Sequence, residues 1–210
     1  MLRQPPTRPA LVLATLNAGK VRESAPLLAD LPFDVRALTG VPGATLPAES
    51  GRTYAENALL KARAAVRLTG ALALADDSGL EVDALGGDPG VHSARYGGPG
   101  LDDAGRCARL LGALAGVPEP ARTARFRCVI ALVDPGGAER LVEGVAEGRI
   151  LTAPRGRGGF GYDPLFYYPP LGRSFAELSD VEKAQVSHRG RALAAVRRLL
   201  TECYTRGFGS

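Results

Sequence analysis

The sequence predicts an α/β fold in which a mixed sheet is flanked by helices, and three observations lead to this prediction. Short apolar runs such as residues 10–15 and 71–75 are typical of buried strands. Helical patterns with capping signals lie between these runs. Strands and helices alternate only loosely along the 210 residues, which favours a mixed sheet over a regular series of strand-helix-strand units.

Composition and length indicate one globular unit. With 45% hydrophobic and 23% charged residues, the chain can form one good core, and we expect a single domain over residues 10–205. The proline-rich residues 1–9 are expected to form a disordered extension and residues 206–210 a short tail. Neither a signal-peptide pattern nor an apolar run of membrane-spanning length is visible, so we expect a cytoplasmic protein without a membrane partner.

Charge and cysteine usage narrow the classes of partner. The net charge of +4 favours anionic partners, but the arginines are spread along the chain, which indicates phosphates and hardly any affinity for nucleic acid. Only three of the 26 basic residues are lysines, and the others are arginines. A lysine is a compact charge that suits contact with a single phosphate oxygen, so the three lysines are positions to consider for phosphate binding. Cys107, Cys128 and Cys203 are odd in number and widely spaced, which predicts neither a disulfide framework nor a zinc site.

The first half of the chain contains two strand and helix pairs. The run Ala10 to Thr15 predicts a buried strand that leads through a turn into a helix ending near Leu31. Thr53 and Glu56 have the spacing of a capping box and predict the start of a second helix, which a glycine at position 70 ends.

The second half begins with a strand that runs into acidic residues. Residues 71–75 predict a second buried strand, which places Asp76, Asp77, Ser78 and Gly79 at its carboxyl end. Further along, the pattern predicts a loop over residues 86–100, a helix over 102–115, a hairpin of 124–134 with 138–150, a glycine-rich loop over 155–161, and helices over 179–186 and 189–203.

The turn between the first strand and the first helix is a candidate phosphate site. Backbone N–H groups at a helix N-terminus attract anions, and Lys20 adds a positive charge there. The segment is not a Walker A loop, because that spacing of glycines is absent and Val21 follows the lysine. An ordinary strand-to-helix turn therefore remains the alternative for Thr15 to Lys20.

Two carboxylates are candidate ligands for Mg²⁺. If the strand continues through Asp76 and Asp77, their side chains point to opposite faces and only one can enter a cleft; we favour Asp77, at the turn with Ser78 and Gly79. Mg²⁺ prefers carboxylates, waters and substrate phosphates, and Glu49 in the preceding loop is the candidate second ligand. Glu56 ranks lower because the capping box already explains it. Turn capping is the alternative role of Asp77.

Polar and aromatic residues elsewhere complete a candidate site. Asn57 and Lys61 are four residues apart and could face the same cleft, although a solvated helix face explains their spacing equally well. The segment Phe160 to Asp163 contributes aromatic rings and a carboxylate beside flexible glycines. With His188 and Arg189, it contains the stacking surface and the donors that a purine pocket requires.

Taken together, these segments resemble the inosine/xanthosine triphosphate pyrophosphatase family. The resemblance extends from about residue 10 to residue 200, and the motifs occur in order. They are LVLATLNAGKVRE (11–23), ESGRTYAENALLKARAA (49–65), ADDSGLEVDALGGDPGVHSARYGG (75–98), GGFGYDPLF (158–166) and EKAQVSHRGRAL (182–193).

The resemblance implies an elongated two-lobed fold with a central cleft, usually a homodimer, that uses Mg²⁺ to hydrolyse ITP, dITP and XTP to the monophosphate and pyrophosphate. It implies Asp77 as proton acceptor, with Glu49 and Asp77 as metal ligands and Asn57 and Lys61 in support. Leucine occupies position 16, where many members have glycine, and we expect extended, tolerant backbone there. The implied substrate contacts are Thr15, Leu16, Asn17, Ala18, Gly19, Lys20, Ser78, Phe160, Gly161, Tyr162, Asp163, Lys183, His188 and Arg189.

The sequence leaves two other functions open. A septum-inhibitor-type nucleotide pyrophosphatase would act on modified pyrimidine triphosphates, and the ordered segments around Tyr162 and His188 argue against it. A basic nucleic-acid-binding module would need a stripe of cations interleaved with aromatic residues, which the sequence lacks.

Overall fold

The computed structural model describes the backbone of residues 8–206 and the side chains of residues 8–202. The predicted N-terminal extension and C-terminal tail fall mostly outside the described residues, as does the side chain of Cys203. Within the described part, no helix is long and apolar enough to cross a membrane. The strands are β1 (Ala10–Leu13), β2 (Asp34–Ala37), β3 (Leu72–Val82), β4 (Thr123–Val133), β5 (Glu139–Ile150), β6 (Phe166–Tyr168) and β7 (Arg173–Ser174).

These strands form one sheet in the order β2-β1-β3-β4-β5-β6-β7. β1 pairs in parallel with β2 and β3, and every other pairing in the sheet is antiparallel. The predicted α/β class with a mixed sheet and flanking helices is therefore confirmed. The helices are α1 (Ala18–Leu28), α2 (Tyr54–Thr69), α3 (Asp103–Ala113), α4 (Asp180–Val186) and α5 (His188–Arg206).

The first strand and helix form where the sequence predicts them. The side chain of Asn17 caps α1 by accepting the backbone N–H of Lys20 at 3.1 Å. The helix ends at Leu28 rather than near Leu31, and Pro32 disfavours helical backbone at Leu31 itself. The edge strand β2 was not predicted, since its four residues are too few to show an alternating pattern.

The second helix confirms half of the predicted capping box. Thr53 accepts the backbone N–H of Glu56 at 3.2 Å, but the Glu56 carboxylate accepts the backbone N–H of Arg52 at 2.6 Å instead of that of Thr53. Gly70 ends the helix in the left-handed conformation, with φ 65°. The buried face contains Asn57 and Lys61 beside the predicted apolar residues, so neither of these two belongs to a solvated face.

The prediction that β3 ends before its acidic residues is wrong. The strand continues through Asp76 to Gly79 and reaches Val82, because β4 pairs with it from Ala73 to Val82 and supplies backbone hydrogen bonds along that length. A Cβ on Gly79 would lie 2.2 Å from the Gly90 carbonyl oxygen, so glycine allows the segment at 90–95 to cross closely over the strand. The acidic pair therefore lies in the middle of the sheet.

The hydrophobic core is divided into three clusters that define two lobes. In the first lobe, one cluster packs α1 and α5 on the sheet and another packs α2 on β1, β3 and β4. The second lobe contains the cluster formed by α3 with the far ends of β3, β4 and β5 and with β6. Because β3 and β4 belong to both lobes, the acidic segment of β3 lies where the lobes meet. This arrangement agrees with the two-lobed architecture that the resemblance implies.

The close packing of α5 on β5 depends on Gly144. A Cβ at this position would lie 2.1 Å from the His188 carbonyl oxygen and 2.5 Å from the Ala192 nitrogen. We predict that Gly144→Ala lowers the free energy of unfolding by about 1–3 kcal/mol, because the helix backbone must move to accommodate the methyl group. Urea denaturation measures this change.

Gly112→Ala is the matched control. Gly112 lies in α3, and a Cβ there meets nothing within 4 Å. This substitution should be neutral or stabilise the protein by up to about 1 kcal/mol, as expected for Gly to Ala in a helix. Equal effects of the two substitutions would contradict the packing argument.

Candidate active site

A cavity of about 240 Å³ lies at the junction of the lobes, beside the middle of β3. It brings together segments from the whole length of the chain. The predicted site residues that line it are Asn17, Lys20, Glu49, Asp77, Ser78, Phe160, Gly161, Tyr162, Asp163, Lys183, His188 and Arg189. We call this cavity the cleft.

A second cavity, of about 290 Å³, lies between α1 and α4. It shares only Lys183 and Arg189 with the cleft, and its lining includes Pro26, Leu27 and Val181. Neither Asp77 nor Glu49 lines this second cavity. Because both carboxylates line the cleft, the cleft is the candidate active site.

Asp77 and Glu49 are brought together by Lys61. The Lys61 ammonium lies 2.7 Å from Oε1 of Glu49 and 3.3 Å from Oδ1 of Asp77. The amide of Asn57 donates to the other Asp77 oxygen at 3.0 Å and accepts the backbone N–H of Gly51 at 2.8 Å. One helix, α2, thus positions the strand carboxylate and also holds the loop that contains Glu49.

The two carboxyl groups have opposite pKa shifts. Burial is the largest influence on Asp77 and raises its pKa above the usual 3.8, helped by the nearby charge of Glu49 and opposed by that of Lys61. Burial also raises the pKa of Glu49, but the Lys61 charge and hydrogen bond, together with Lys20 and Arg95, outweigh it and leave the pKa below 4.5. Groups with divergent pKa values in one cleft are typical of acid-base sites.

Asp76 points to the opposite face of β3 and does not line the cleft. Its carboxylate lies 3.0 Å from the Lys20 ammonium and 3.1 Å from Nη2 of Arg189. Burial favours the neutral acid, but Lys20, Arg189 and Lys61 hold the pKa of Asp76 well below its usual range. Asp76 therefore positions two cations, while Asp77 is the aspartate that faces the cleft.

The turn at residues 15–20 has the geometry expected of an anion site. The N-terminus of α1 leaves the amides of Ala18 and Gly19 without acceptors within the helix. Thr15 accepts the backbone N–H of Asn17 at 3.2 Å, which stabilises the turn. Leu16 is half exposed, and no described residue other than glycine has a positive φ, so leucine carries no left-handed backbone strain at this position.

Phe160 connects this turn to the glycine-rich loop. A Cβ on Gly19 would lie 2.9 Å from Cδ1 of Phe160, so the ring rests directly on the backbone of α1. Cations stand over the same ring, with the Lys183 ammonium 5.1 Å and the Arg189 guanidinium carbon 5.5 Å from its centroid. The buried Asp163 pairs with Lys183 and accepts the backbone N–H of Phe160 at 2.8 Å.

His188 is held as a neutral ring. It stacks on Phe126 with the centroids 4.6 Å apart, and its Nδ1 has no hydrogen-bond partner among the described residues. Burial, followed by the charges of Arg189 and Lys183, lowers the pKa of His188 well below 6.5. A neutral imidazole has one donor and one acceptor for a bound ligand.

Most donors of Arg189 are already used within the protein. The guanidinium pairs with Glu23 and Asp76 and donates to the Ser78 hydroxyl at 2.9 Å. Five N–H groups are present in an arginine, and one on Nη1 has no partner among the described residues. Arg189 thus lines the cleft with its charge compensated by Glu23 and Asp76.

Sequence reasoning missed several residues at the site. Glu23 bridges Arg189 and Lys183, with its Oε1 2.6 Å from the Lys183 ammonium. Its local signals were its position one helical turn after Lys20 and its place at the end of the motif over residues 11–23. Asp103, Arg106 and Phe126 also line the cleft, but nothing in their neighbouring sequence marked them.

Comparisons with known proteins agree with this geometry. A model of the Ham1 family matches residues 11–199. The chain is 53% identical to the dITP/XTP pyrophosphatase of Desulforamulus reducens over 194 residues, which are 92% of this chain and 96% of that protein. It is 55% identical to the dITP/XTP pyrophosphatase of Geobacillus kaustophilus over 183 residues, covering 87% and 90% of the two chains.

Solved structures give the same result. The Ham1 protein of Coxiella burnetii superimposes with a TM-score of 0.84 at 45% identity, covering 92% of this chain and 98% of that one. The Staphylococcus aureus Ham1 protein superimposes with a TM-score of 0.81 at 36% identity, with the same coverage. These relatives support neither the septum-inhibitor-type nor the nucleic-acid alternative. Because the family model matches residues 11–199 and solved Ham1 proteins share the fold over nearly the whole chain, the chain belongs to the Ham1 family.

Proposed function

We propose that this protein hydrolyses the purine nucleoside triphosphates ITP, dITP and XTP to the monophosphate and pyrophosphate. One observation carries the proposal: a single cleft contains the paired carboxylates Asp77 and Glu49 together with Lys20 from the first turn of α1. The same cleft is lined by an aromatic wall, formed by Phe160 with His188 and Arg189. The relatives from Desulforamulus reducens and Geobacillus kaustophilus are named dITP/XTP pyrophosphatases, which supports the same substrates here.

Mg²⁺ is the cofactor that the donor set favours. No group of three or more His, Cys, Asp and Glu residues within residues 8–202 could hold a metal by itself. The carboxylates of Asp77 and Glu49 both contact the Lys61 ammonium and so lie close to each other. Such a pair suits an ion that completes its coordination shell with waters and substrate phosphates. When bound, Mg²⁺ would offset phosphate charge and lower the pKa of bound water.

The residues of the chain then have distinct roles in the reaction. Asp77 accepts the proton of the water that attacks the α-phosphorus, and its position next to Lys61 and Asn57 keeps the carboxylate oriented. Lys20 and the free amides of α1 interact with the phosphates and offset the charge on the departing pyrophosphate. Positioning and electrostatics account for most of the rate in such reactions.

The residues that select the base are those of the aromatic wall, Phe160, His188 and Arg189. Phe160 offers a ring for stacking, and Arg189, with one N–H unpaired among the described residues, lines the same cleft as the neutral imidazole of His188. Hypoxanthine and xanthine present an acceptor oxygen at position 6, whereas adenine presents a donor, which an arginine cannot satisfy. ATP should therefore be a poor substrate.

The same proposal covers the organisation of the chain. We propose one pyrophosphatase domain over residues 10–205 that acts in the cytoplasm as a homodimer, without a membrane or nucleic-acid partner. Its contacts with substrate include Thr15, Leu16, Asn17, Ser78, Gly161, Tyr162, Asp163 and Lys183.

Product analysis with ITP and Mg²⁺ tests the proposal. IMP and pyrophosphate are expected, whereas IDP and phosphate would contradict it.

Asp77→Asn tests the role of Asp77 in catalysis, since an amide can neither accept the proton nor bind the metal as a carboxylate does. We expect its kcat to fall by about 10²- to 10⁴-fold with the fold retained. A variant with more than about a tenth of the wild-type kcat would exclude Asp77 as the base.

Arg189→Lys tests base selection with less damage than truncation. Removing the side chain would leave Glu23 and Asp76 buried without this partner, at a cost of about 3–5 kcal/mol. Lysine preserves the charge but not the planar set of donors. We predict that the ITP/ATP ratio of kcat/KM falls about 5- to 150-fold, since an unpaired buried polar group costs about 1–3 kcal/mol. An unchanged ratio would mean that Arg189 only neutralises charge.

A further inference from the structure

One face of α3 contacts both polar backbone groups of Gly161. Oδ2 of Asp103 accepts the Gly161 N–H at 2.7 Å, and the thiol of Cys107 lies 3.5 Å from the Gly161 carbonyl oxygen. Asp103 and Cys107 are four residues apart, so they lie on the same side of the helix. A peptide whose N–H and C=O are both bound by one rigid element has little freedom to move.

Arg106 completes the arrangement. Its Nη2 donates to the other oxygen of Asp103 at 2.7 Å, and its Nη1 donates to the Leu101 carbonyl oxygen at 2.5 Å. Burial raises the pKa of Asp103, but the hydrogen bonds from Arg106 and Gly161 outweigh it and leave the pKa below the usual 3.8. Asp103 is therefore an ionised acceptor that Arg106 holds in one orientation.

Gly161 is adjacent to the ring that forms the aromatic wall. It has φ 62°, a conformation that glycine adopts without strain, and its position sets the direction in which the chain leaves Phe160. Phe160 in turn contacts Gly19 and the two cations above the ring. A displacement of the Gly161 peptide would thus move the ring away from the turn at residues 15–20.

We propose that Asp103 is a positioning residue for substrate binding, acting through Gly161 on Phe160. The inference rests on the proposed function, because it concerns how the same cleft binds its nucleotide. Asp103 does not take part in the chemical step at Asp77, so its loss raises KM for ITP with little change in kcat. Neither the sequence motifs nor the comparisons assign a role to Asp103 or Arg106.

Asp103→Ala, with Asp102→Ala as the matched control, tests the inference. The Asp102 side chain caps α3 by accepting the Gly105 N–H at 2.8 Å, so its loss weakens the same helix end without touching Gly161. We expect Asp103→Ala to raise KM for ITP about tenfold, as for a lost hydrogen bond to a charged group. Asp102→Ala should lower the melting temperature at unchanged KM. Equal KM values for the two variants would overturn the inference.

Two further variants separate the hydrogen bond from helix stability. Asp103→Asn retains an oxygen for the Gly161 N–H and should keep KM within about threefold of wild type. Asp103→Glu retains the charge at the helix start but moves the carboxylate away from Gly161, so it should raise KM at an unchanged melting temperature. It also provides the test if Asp103→Ala does not fold. A wild-type KM in Asp103→Glu would overturn the inference.

Measurements on the unmodified protein distinguish this inference from the proposed function. If the wild-type protein with Mg²⁺ releases no pyrophosphate from ITP, the proposed function fails. If it releases pyrophosphate and the Asp103 variants match the Asp102 control, only the positioning role fails.

Discussion

Asp76 lies on β3, an interior strand of the sheet, with its carboxylate buried between two cations, 3.0 Å from the Lys20 ammonium and 3.1 Å from the Arg189 guanidinium. A buried carboxylate that loses its partner costs about 3–5 kcal/mol, so the fold must keep both cations in place. Lys20 belongs to α1 and Arg189 to α5, and the shared carboxylate therefore sets both helices against β3. Glu23 extends the network by binding Arg189 and Lys183.

The position of Asp76 explains how neighbouring aspartates come to differ. Alternation along β3 places Asp76 among cations on one face, while Asp77 faces the cleft beside Lys61 and Asn57. The pKa of Asp76 is lowered and that of Asp77 is raised. The structural charge and the proposed proton acceptor are thus adjacent in sequence but have different direct partners, while the charges of Lys20 and Lys61 act to lower the pKa of both.

Close backbone contacts are the second constraint on the cleft. Gly79 allows the segment at 90–95 to cross β3, and Gly144 allows α5 to lie directly on β5. Gly19 makes room for the ring of Phe160. Each contact brings a backbone within a distance that any side chain would prevent. Charged groups at the centre and glycines around it together hold segments from both lobes at a common site.

The sequence by itself determined the mixed α/β class, the N-cap of α2, the β4–β5 hairpin and most of the residues that line the cleft. Those features depend on hydrogen bonds and apolar patterns within a few residues, or on motifs that occur in order. Only the tertiary structure decided that β3 continues past Asp77, because the hydrogen bonds that extend it come from β4, more than forty residues later. It also decided that Lys61 joins Glu49 to Asp77 and that Glu23 binds Arg189. Such pairings depend on which distant charges are buried together, and no local pattern encodes that.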